Sequence, residues 1–273
     1  MRNQELKVGI KRSIFLIIYL IERYFAYLLG KGYGAATIKQ EVKAAVSFLA
    51  PPHTHIRTHA RNTEAQVLLA IDVGGNVGAY SKELQNYSPG IEIHIFEPTE
   101  VNSLKLIDIF KNDSSIHLNK LALSDSEGEA ILYSDVPGSG MGSLVNRRLN
   151  HFGISMECAE EIQTIRFETY WKKVLNRRIV DLVKLDIEGF ELAALKGFGE
   201  AVLSVRVVQF EFGGCNLDTR TNFQDFYYFF KNLGWLIYRI TPLGLEEIRR
   251  YRELDEVYLT TNFIAVNSKL RQH

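Results

Sequence analysis

Lys184, Asp186, Glu188 and Glu191 crowd into DLVKLDIEGFELAALKG, residues 181 to 197, where an alternating apolar segment runs into a glycine. A two-residue side-chain period puts Lys184 and Asp186 on one face of a strand, and Glu188-Gly189 then turn the chain into a helix. Charges set among apolar residues must be paired or ligated, so this strand end reads as a polar site able to move protons or hold a ligand. A buried ion pair that holds the strand in register is the competing reading. Another acid, Glu211, ends VRVVQFEFGG at 205 to 214.

A second constellation is AIDVGGNVGAYS, residues 70 to 81, an apolar strand followed by a glycine-rich turn and a helix. Gly74 and Gly75 permit a tight turn and close approach of backbone to a ligand, and Gly78 lets the helix pack on the strand. Asp72 would repel a pyrophosphate but accepts hydrogen bonds from an ammonium or a loop amide, and Gly-Lys-Ser/Thr is missing, which removes the phosphate cradle of an NTPase. In IHIFEP, residues 93 to 98, Glu97 ends the next strand 25 residues after Asp72, where an acid can take ribose hydroxyls. That place is shared by NAD and S-adenosylmethionine sites. In LALSDSEG, residues 121 to 128, Ser124 and Asp125 read equally as adenine contacts or as a plain turn. Asp72, Glu97, Asp186, Glu188 and Glu211 would converge on one rim.

Positioning these groups requires an open, mostly parallel sheet. From Gln66 onward, β-branched runs alternate with helical stretches. Seven strands are predicted: Val67 to Asp72, Ile91 to Phe96, Ile116 to Leu123, Asp181 to Ile187, Val205 to Phe212, Trp235 to Ile240 and Tyr258 to Val266. A less regular region, 125 to 169, carries a strand-like pair around GSGMGSL at 138 to 144 and reads as an insertion near the site. The fold class is therefore α/β, a doubly wound, Rossmann-like domain over 66–273. Residues 1–65 form a helical extension and linker. Phe226 to Phe230 reads as the core face of a covering helix.

The extension has two predicted helices, Ser13 to Leu29 and Thr37 to Phe48, and a local charge of +5 over residues 1 to 43, from eight Lys/Arg and three Glu. The first is apolar enough to pack on the domain or on a second copy in a homo-oligomer, or to lie on a membrane surface through residues 13–29. Glu22-Arg23 interrupt it well short of the roughly 20 residues of a membrane span. His53, His55 and His59 sit in a Pro-flanked polar stretch that reads as linker rather than metal site. Lys plus Arg equals Asp plus Glu at 32 each, which argues against a nucleic-acid partner. Cys158 and Cys215 have no pairing pattern, so a cytoplasmic setting is expected, peripheral to the inner face of the membrane if the first helix touches lipid.

AIDVGGNVGAYS, FEP, LALSD-x2-G and above all LVKLDIEGFELAALKG resemble the FkbM family of S-adenosylmethionine-dependent methyltransferases, over roughly Val67 to Val266. The resemblance implies a class I methyltransferase fold with an antiparallel final strand. It also implies S-adenosylmethionine as cofactor and O-methylation of a small-molecule, glycan or glycolipid hydroxyl. Gly75 stands where the family often has alanine, a change expected to be tolerated. On this footing Asp72, Gly74, Asn76 and Gly78 are expected to cradle the methionine moiety, with Glu97 on the ribose and Asp125 near adenine. Asp186 or Glu188 is the candidate base, with Lys184 orienting the carboxylate or lowering the hydroxyl's pKa. No metal is assigned, although Asp186, Glu188 and Glu211 leave a divalent ion open. The alternatives are an NAD(P)-dependent oxidoreductase or epimerase, for which a Tyr-x3-Lys pair is missing, and a non-catalytic nucleotide-binding module.

Overall fold

Five-residue runs such as LAIDV and EIHIF are buried along all or nearly all of their length, the condition of strands inside a sheet covered on both faces. The computed structural model describes residues 2–34, 38–49 and 67–270. After α1 (Arg2–Leu28) and α2 (Ile38–Val46), the chain alternates through β1 (Leu69–Val73), α3 (Ala79–Tyr87), β2 (Glu92–Phe96), α4 (Glu100–Phe110) and β3 (Ile116–Asn119). Three strands follow in a separate small sheet: β4 (Ala122–Leu123), β5 (Gly128–Ser134) and β6 (Cys158–Ile165). The chain then runs through α5 (Phe167–Lys173), β7 (Val180–Leu185), α6 (Glu191–Gly197), β8 (Val205–Phe212), α7 (Cys215–Thr219), α8 (Phe223–Asn232), β9 (Leu236–Thr241), β10 (Gly244–Glu247) and β11 (Thr261–Val266).

The main sheet has eight strands in the order β10-β9-β11-β8-β7-β1-β2-β3. β1, β2, β3, β7 and β8 are parallel, and β11 lies antiparallel between β8 and β9, as the resemblance implied. The expected seven strands become eight because β9 turns back at Gly244 (φ +119°) into the short edge strand β10. The expected strand from Ile116 to Leu123 divides at Asn119-Lys120, and β4 leaves the main sheet to pair with β6. The strand-like pair of the insertion is real: β5 and β6 are antiparallel from Gly128↔Thr164 to Ser134↔Cys158.

One face of the sheet is filled by aromatics, with Phe210 stacked on Phe226 and Phe226 and Phe230 of α8 fully buried. Val42 and Ala45 of α2 are fully buried on the opposite face, in the cluster that holds Tyr80 and Leu84 of α3. α1 begins earlier than the apolar pattern suggested, because Gln4, Glu5, Leu6 and Lys7 are good helix formers. Its stretch Ile14–Ile21 is exposed on every side. No described helix is long and apolar enough to cross a membrane. The histidine pattern at 53 to 59 lies outside the described residues.

Strand order reverses between β1 and β7, since the chain leaves β1 outward to β2 and β3 before returning to β1's other side. The carboxyl ends of two strands that diverge in this way leave a crevice, the usual ligand site of an open α/β sheet.

Candidate active site

Val73 at the end of β1 runs into a turn held by unusual backbone angles. Gly74 has φ +80°, and a Cβ there would collide with the Asp186 carbonyl at the end of β7. Gly78 (φ +74°) stands at the start of α3, where a Cβ would run into the Phe110 ring, so its part is to let α3 pack on α4. Gly75 corrects an expectation: an alanine Cβ would strike Ile95 Cγ2, and this turn accepts it only if Ile95 moves. Asn76, left-handed at φ 46°, donates its backbone N–H to Glu97 Oε2 at 2.8 Å. Glu97 Oε1 accepts from the Thr99 N–H at 3.0 Å and the Thr99 hydroxyl at 2.6 Å. Burial raises the Glu97 pKa above its ordinary value, and these donors oppose the rise.

Two clefts open at this point. The first, about 610 Å³ with its mouth, runs between the glycine turn, Glu97, Leu123 of β4 and Phe190, and is roofed by Ser139, Gly140 and Leu144 of the insertion. The second, about 770 Å³, lies on the α2 side between Glu41, Tyr80, Lys184, Glu211 and Asn262. Gly74, Asn76, Gly140 and Asp186 line both. Glu188 opens only on the first, Lys184 and Glu211 only on the second. Asp125 is on neither; it is exposed in an adjoining groove that shares Leu144 and Phe190 with the first cleft.

Strand register explains the charges beneath the turn. Asp72 pairs laterally with Lys184, and Lys184 with Gln209, so the three form a polar row across one face of the sheet. Asp72, 1% exposed, lines neither cleft: it accepts from Ser81 Oγ at 2.6 Å and lies 3.6 Å from Lys184 Nζ. Lys184 Nζ also lies 3.3 Å from Asp186 Oδ2 and donates to the Gly74 carbonyl at 3.2 Å. Burial alone would lower the Lys184 pKa, but Asp186, Asp72 and Glu41 outweigh it and hold the ammonium above its ordinary range. Lys184 is thus a fixed cation that ties the turn to Asp186. Asp186 itself, its side chain 43% exposed, faces the junction of the clefts.

Glu188 adopts φ 53° and pairs with Arg147, which also reaches Asp218 at 3.3 Å. Burial, with repulsion from Asp186, pushes its pKa up to about 7 against the pull of Arg147. Glu191 is fully buried and closes the loop after β7, its Oε1 accepting from the N–H groups of Ile187 at 2.9 Å and Gly189 at 3.2 Å. Its Oε2 has no hydrogen-bond partner among the described residues, and burial raises its pKa to about 7. An acid raised in the folded state binds more protons there than in the unfolded chain. Its stabilising effect is complete below its ordinary pKa and is lost as pH climbs through the raised one. Stability should therefore fall from about pH 4.5 to about pH 7, and Glu191→Gln should remove on the order of 1–3 kcal/mol of that fall. Urea midpoints across this range test it; an unchanged slope in the variant would refute the assignment.

Arg147, Tyr80, Gln209 and Glu41 complete the site without having been expected there. Gln209 alone left a trace in the sequence, as a polar residue in an apolar strand. Among the described residues, Glu92, His94 and His117 bring ligand atoms within 4.8 Å of one another, far along β2 and β3, but Arg178 clasps Glu92 with bonds of 3.0 and 2.9 Å. Asp186, Glu188 and Glu211 form no such group among the described residues.

A family model described as the methyltransferase FkbM domain matches residues 72–237. Among solved structures, similarity extends to a methyltransferase FkbM from Methylobacillus flagellatus KT at 14% identity and TM-score 0.45, over 89% of this chain and 59% of that one. A precorrin-6y C5,15-methyltransferase from Geobacter metallireducens GS-15 matches at 11% identity and TM-score 0.40, over 82% and 86% of the two chains. A human methyltransferase 10 domain containing protein matches at 10% and 0.41, over 85% and 83%. The chain thus spans 59% of the length of the first of these. No curated protein matches.

Proposed function

The chain belongs to the FkbM methyltransferase family, and from that premise we propose that it moves a methyl group from S-adenosylmethionine to a hydroxyl of a small-molecule, glycan or glycolipid acceptor. The observation that carries this reading is the meeting of two clefts at Gly74, Asn76 and Asp186. A two-substrate transfer needs such a junction, because orientation of donor and acceptor supplies much of its rate.

The first cleft fits the cofactor. Leu123 and Phe190 offer apolar walls to a purine, and Glu97 sits where a ribose would reach it. A carboxylate has about four acceptor positions. Asn76 and Thr99 fill three of them at Glu97, leaving one for a ribose hydroxyl and a second once the Thr99 hydroxyl turns away. Gly74 and Asn76 edge the cleft beside Glu97. When bound, the cofactor supplies a methyl on sulfonium that the acceptor oxygen takes by in-line displacement, the C–S bonding pair leaving with sulfur.

Asp186 is the base in this reading: it alone among the acids touches both clefts, and it receives the hydroxyl proton as the new C–O bond forms. Lys184 positions that carboxylate from below and stays protonated. Glu188 is engaged by Arg147 and holds the insertion over the first cleft, with Ser143 Oγ donating to its carbonyl at 2.9 Å. Asp72 acts through Lys184 rather than on the ligand.

A thermal-shift comparison of S-adenosylhomocysteine, NAD and ATP tests the cofactor class. S-Adenosylhomocysteine at a hundredfold excess over Kd should raise Tm by roughly 5–10 °C. Stabilisation by NAD with none by S-adenosylhomocysteine would replace the transferase reading with the oxidoreductase one.

A further inference from the structure

The second cleft has a wall that lies outside the matched family domain. Glu41 of α2 lines it, together with Gly34 and Ile38. α2 is not loosely attached: Val42 and Ala45 are fully buried in the cluster beside Tyr80 and Leu84. The Glu41 carboxylate accepts from Gln209 Nε2 at 2.9 Å, and Gln209 Oε1 accepts from the Tyr80 hydroxyl at 2.7 Å. Both the sheet and α3 therefore fix where Glu41 points. The Asn262 side chain donates to the Gly34 carbonyl at 3.3 Å, and the Gly34 N–H to the Thr260 carbonyl at 2.9 Å, which closes the same wall from the β11 side.

Charge on this wall is not balanced. Lys184 is the one cation among the described lining residues, and it is already shared between Asp72 and Asp186. Glu41 makes no ion pair with a described residue, and Glu211 makes neither ion pair nor hydrogen bond with one. Burial pushes the Glu41 pKa up to about 7 against the pull of Lys184, with Asp186 adding to the rise. Burial also lifts Glu211 well above its ordinary value, and Asp186, Glu188, Glu191 and Glu41 reinforce it. Two mostly buried carboxylates face one cavity whose one described cation, Lys184, is already engaged by Asp72 and Asp186, an arrangement that a further bound cation would stabilise and a bound anion would not.

On the reading of the chain as an S-adenosylmethionine-dependent transferase, we propose that the second cleft is the acceptor site and that α2 completes it through Glu41. We further propose that Glu41 and Glu211 select an acceptor bearing a protonated amine beside the methylated hydroxyl, as in an amino sugar. Asp186 would then take the hydroxyl proton beside a cationic group of the acceptor. α2 becomes part of the enzyme's specificity rather than an appendage to it.

The test uses the full chain saturated with S-adenosylhomocysteine, titrated by calorimetry with the methyl glycosides of glucosamine, N-acetylglucosamine and glucuronic acid. The glucosaminide should bind about tenfold more tightly than the N-acetyl compound, the difference expected from one charge-assisted hydrogen bond. Its binding should release protons near pH 7, seen as heats that change with the buffer's ionisation enthalpy, and the glucuronide should not bind. Glu41→Gln and Glu211→Gln should each erase most of the preference while leaving S-adenosylhomocysteine affinity intact. The wild-type ranking decides the matter even if a variant fails to fold. Equal binding of the three glycosides, preference for the glucuronide, or no binding of any would overturn the proposal. Failure of S-adenosylhomocysteine to bind would instead overturn the transferase reading on which it rests.

Discussion

Asp186→Asn should lower kcat/KM by about 10²–10⁴-fold for any acceptor the wild-type chain methylates, with little change in S-adenosylhomocysteine affinity. The size follows from removing a positioned base while keeping the shape of its side chain. The selectivity follows from geometry, since Asp186 sits on the rim common to both clefts and its 43% exposed side chain is paired, among the described residues, with Lys184. Glu188→Gln is the control. Glu188 reaches only the first of the two clefts and is held by Arg147, so its loss should loosen the insertion and weaken S-adenosylhomocysteine binding more than it slows the chemical step. If Asp186→Asn turned over at the wild-type rate and Glu188→Gln did not, the two roles would have to be exchanged. Loss of the cooperative melt in Asp186→Asn would mark its carboxylate as structural.

What the sequence made legible was whatever is written locally. β8 spans Val205–Phe212 as its richness in β-branched and aromatic residues predicts, and the Lys184-Asp186 alternation does put both side chains toward one region of the sheet. The glycine turn and Glu97 are joined through the Asn76 amide, which brings two separately read motifs to one place. Other parts depend on contacts between distant segments. Asp72 was expected on the ligand, but its strand neighbour is Lys184, and a carboxylate beside a buried ammonium is drawn under the turn rather than into the cleft. Asp125 was expected near adenine, yet the break after Asn119 carries β4 into the small sheet, so Leu123 rather than Asp125 faces the cleft. Glu41 gave no local signal at all. Nothing in IKQEVKAAV shows that one of its faces will be buried beside α3 and present an acid to a site more than a hundred residues away in the chain.

Lys184→Met should destabilise the fold by about 3–5 kcal/mol, the loss typical when one partner of a buried ion pair is removed. The reason is asymmetry of burial. Asp186 can turn toward water when its partner goes, but Asp72 is 1% exposed and its Oδ1 has no hydrogen bond with a described residue, so among these Lys184 is its compensation beyond the Ser81 hydroxyl. An uncompensated carboxylate at that depth must either be buried charged or take up a proton, and both oppose folding at neutral pH. Adding Asp72→Asn to Lys184→Met should therefore recover much of the loss, giving a coupling energy of at least about 1 kcal/mol in a double-mutant cycle. Urea midpoints of the four proteins supply that cycle. Additive losses would mean that Asp72 and Lys184 are neighbours in register without being partners in energy. The double variant also separates stability from function: it should fold yet bind S-adenosylhomocysteine poorly, because the ammonium that holds the Gly74 carbonyl at 3.2 Å and fixes the turn beside Asp186 would be gone.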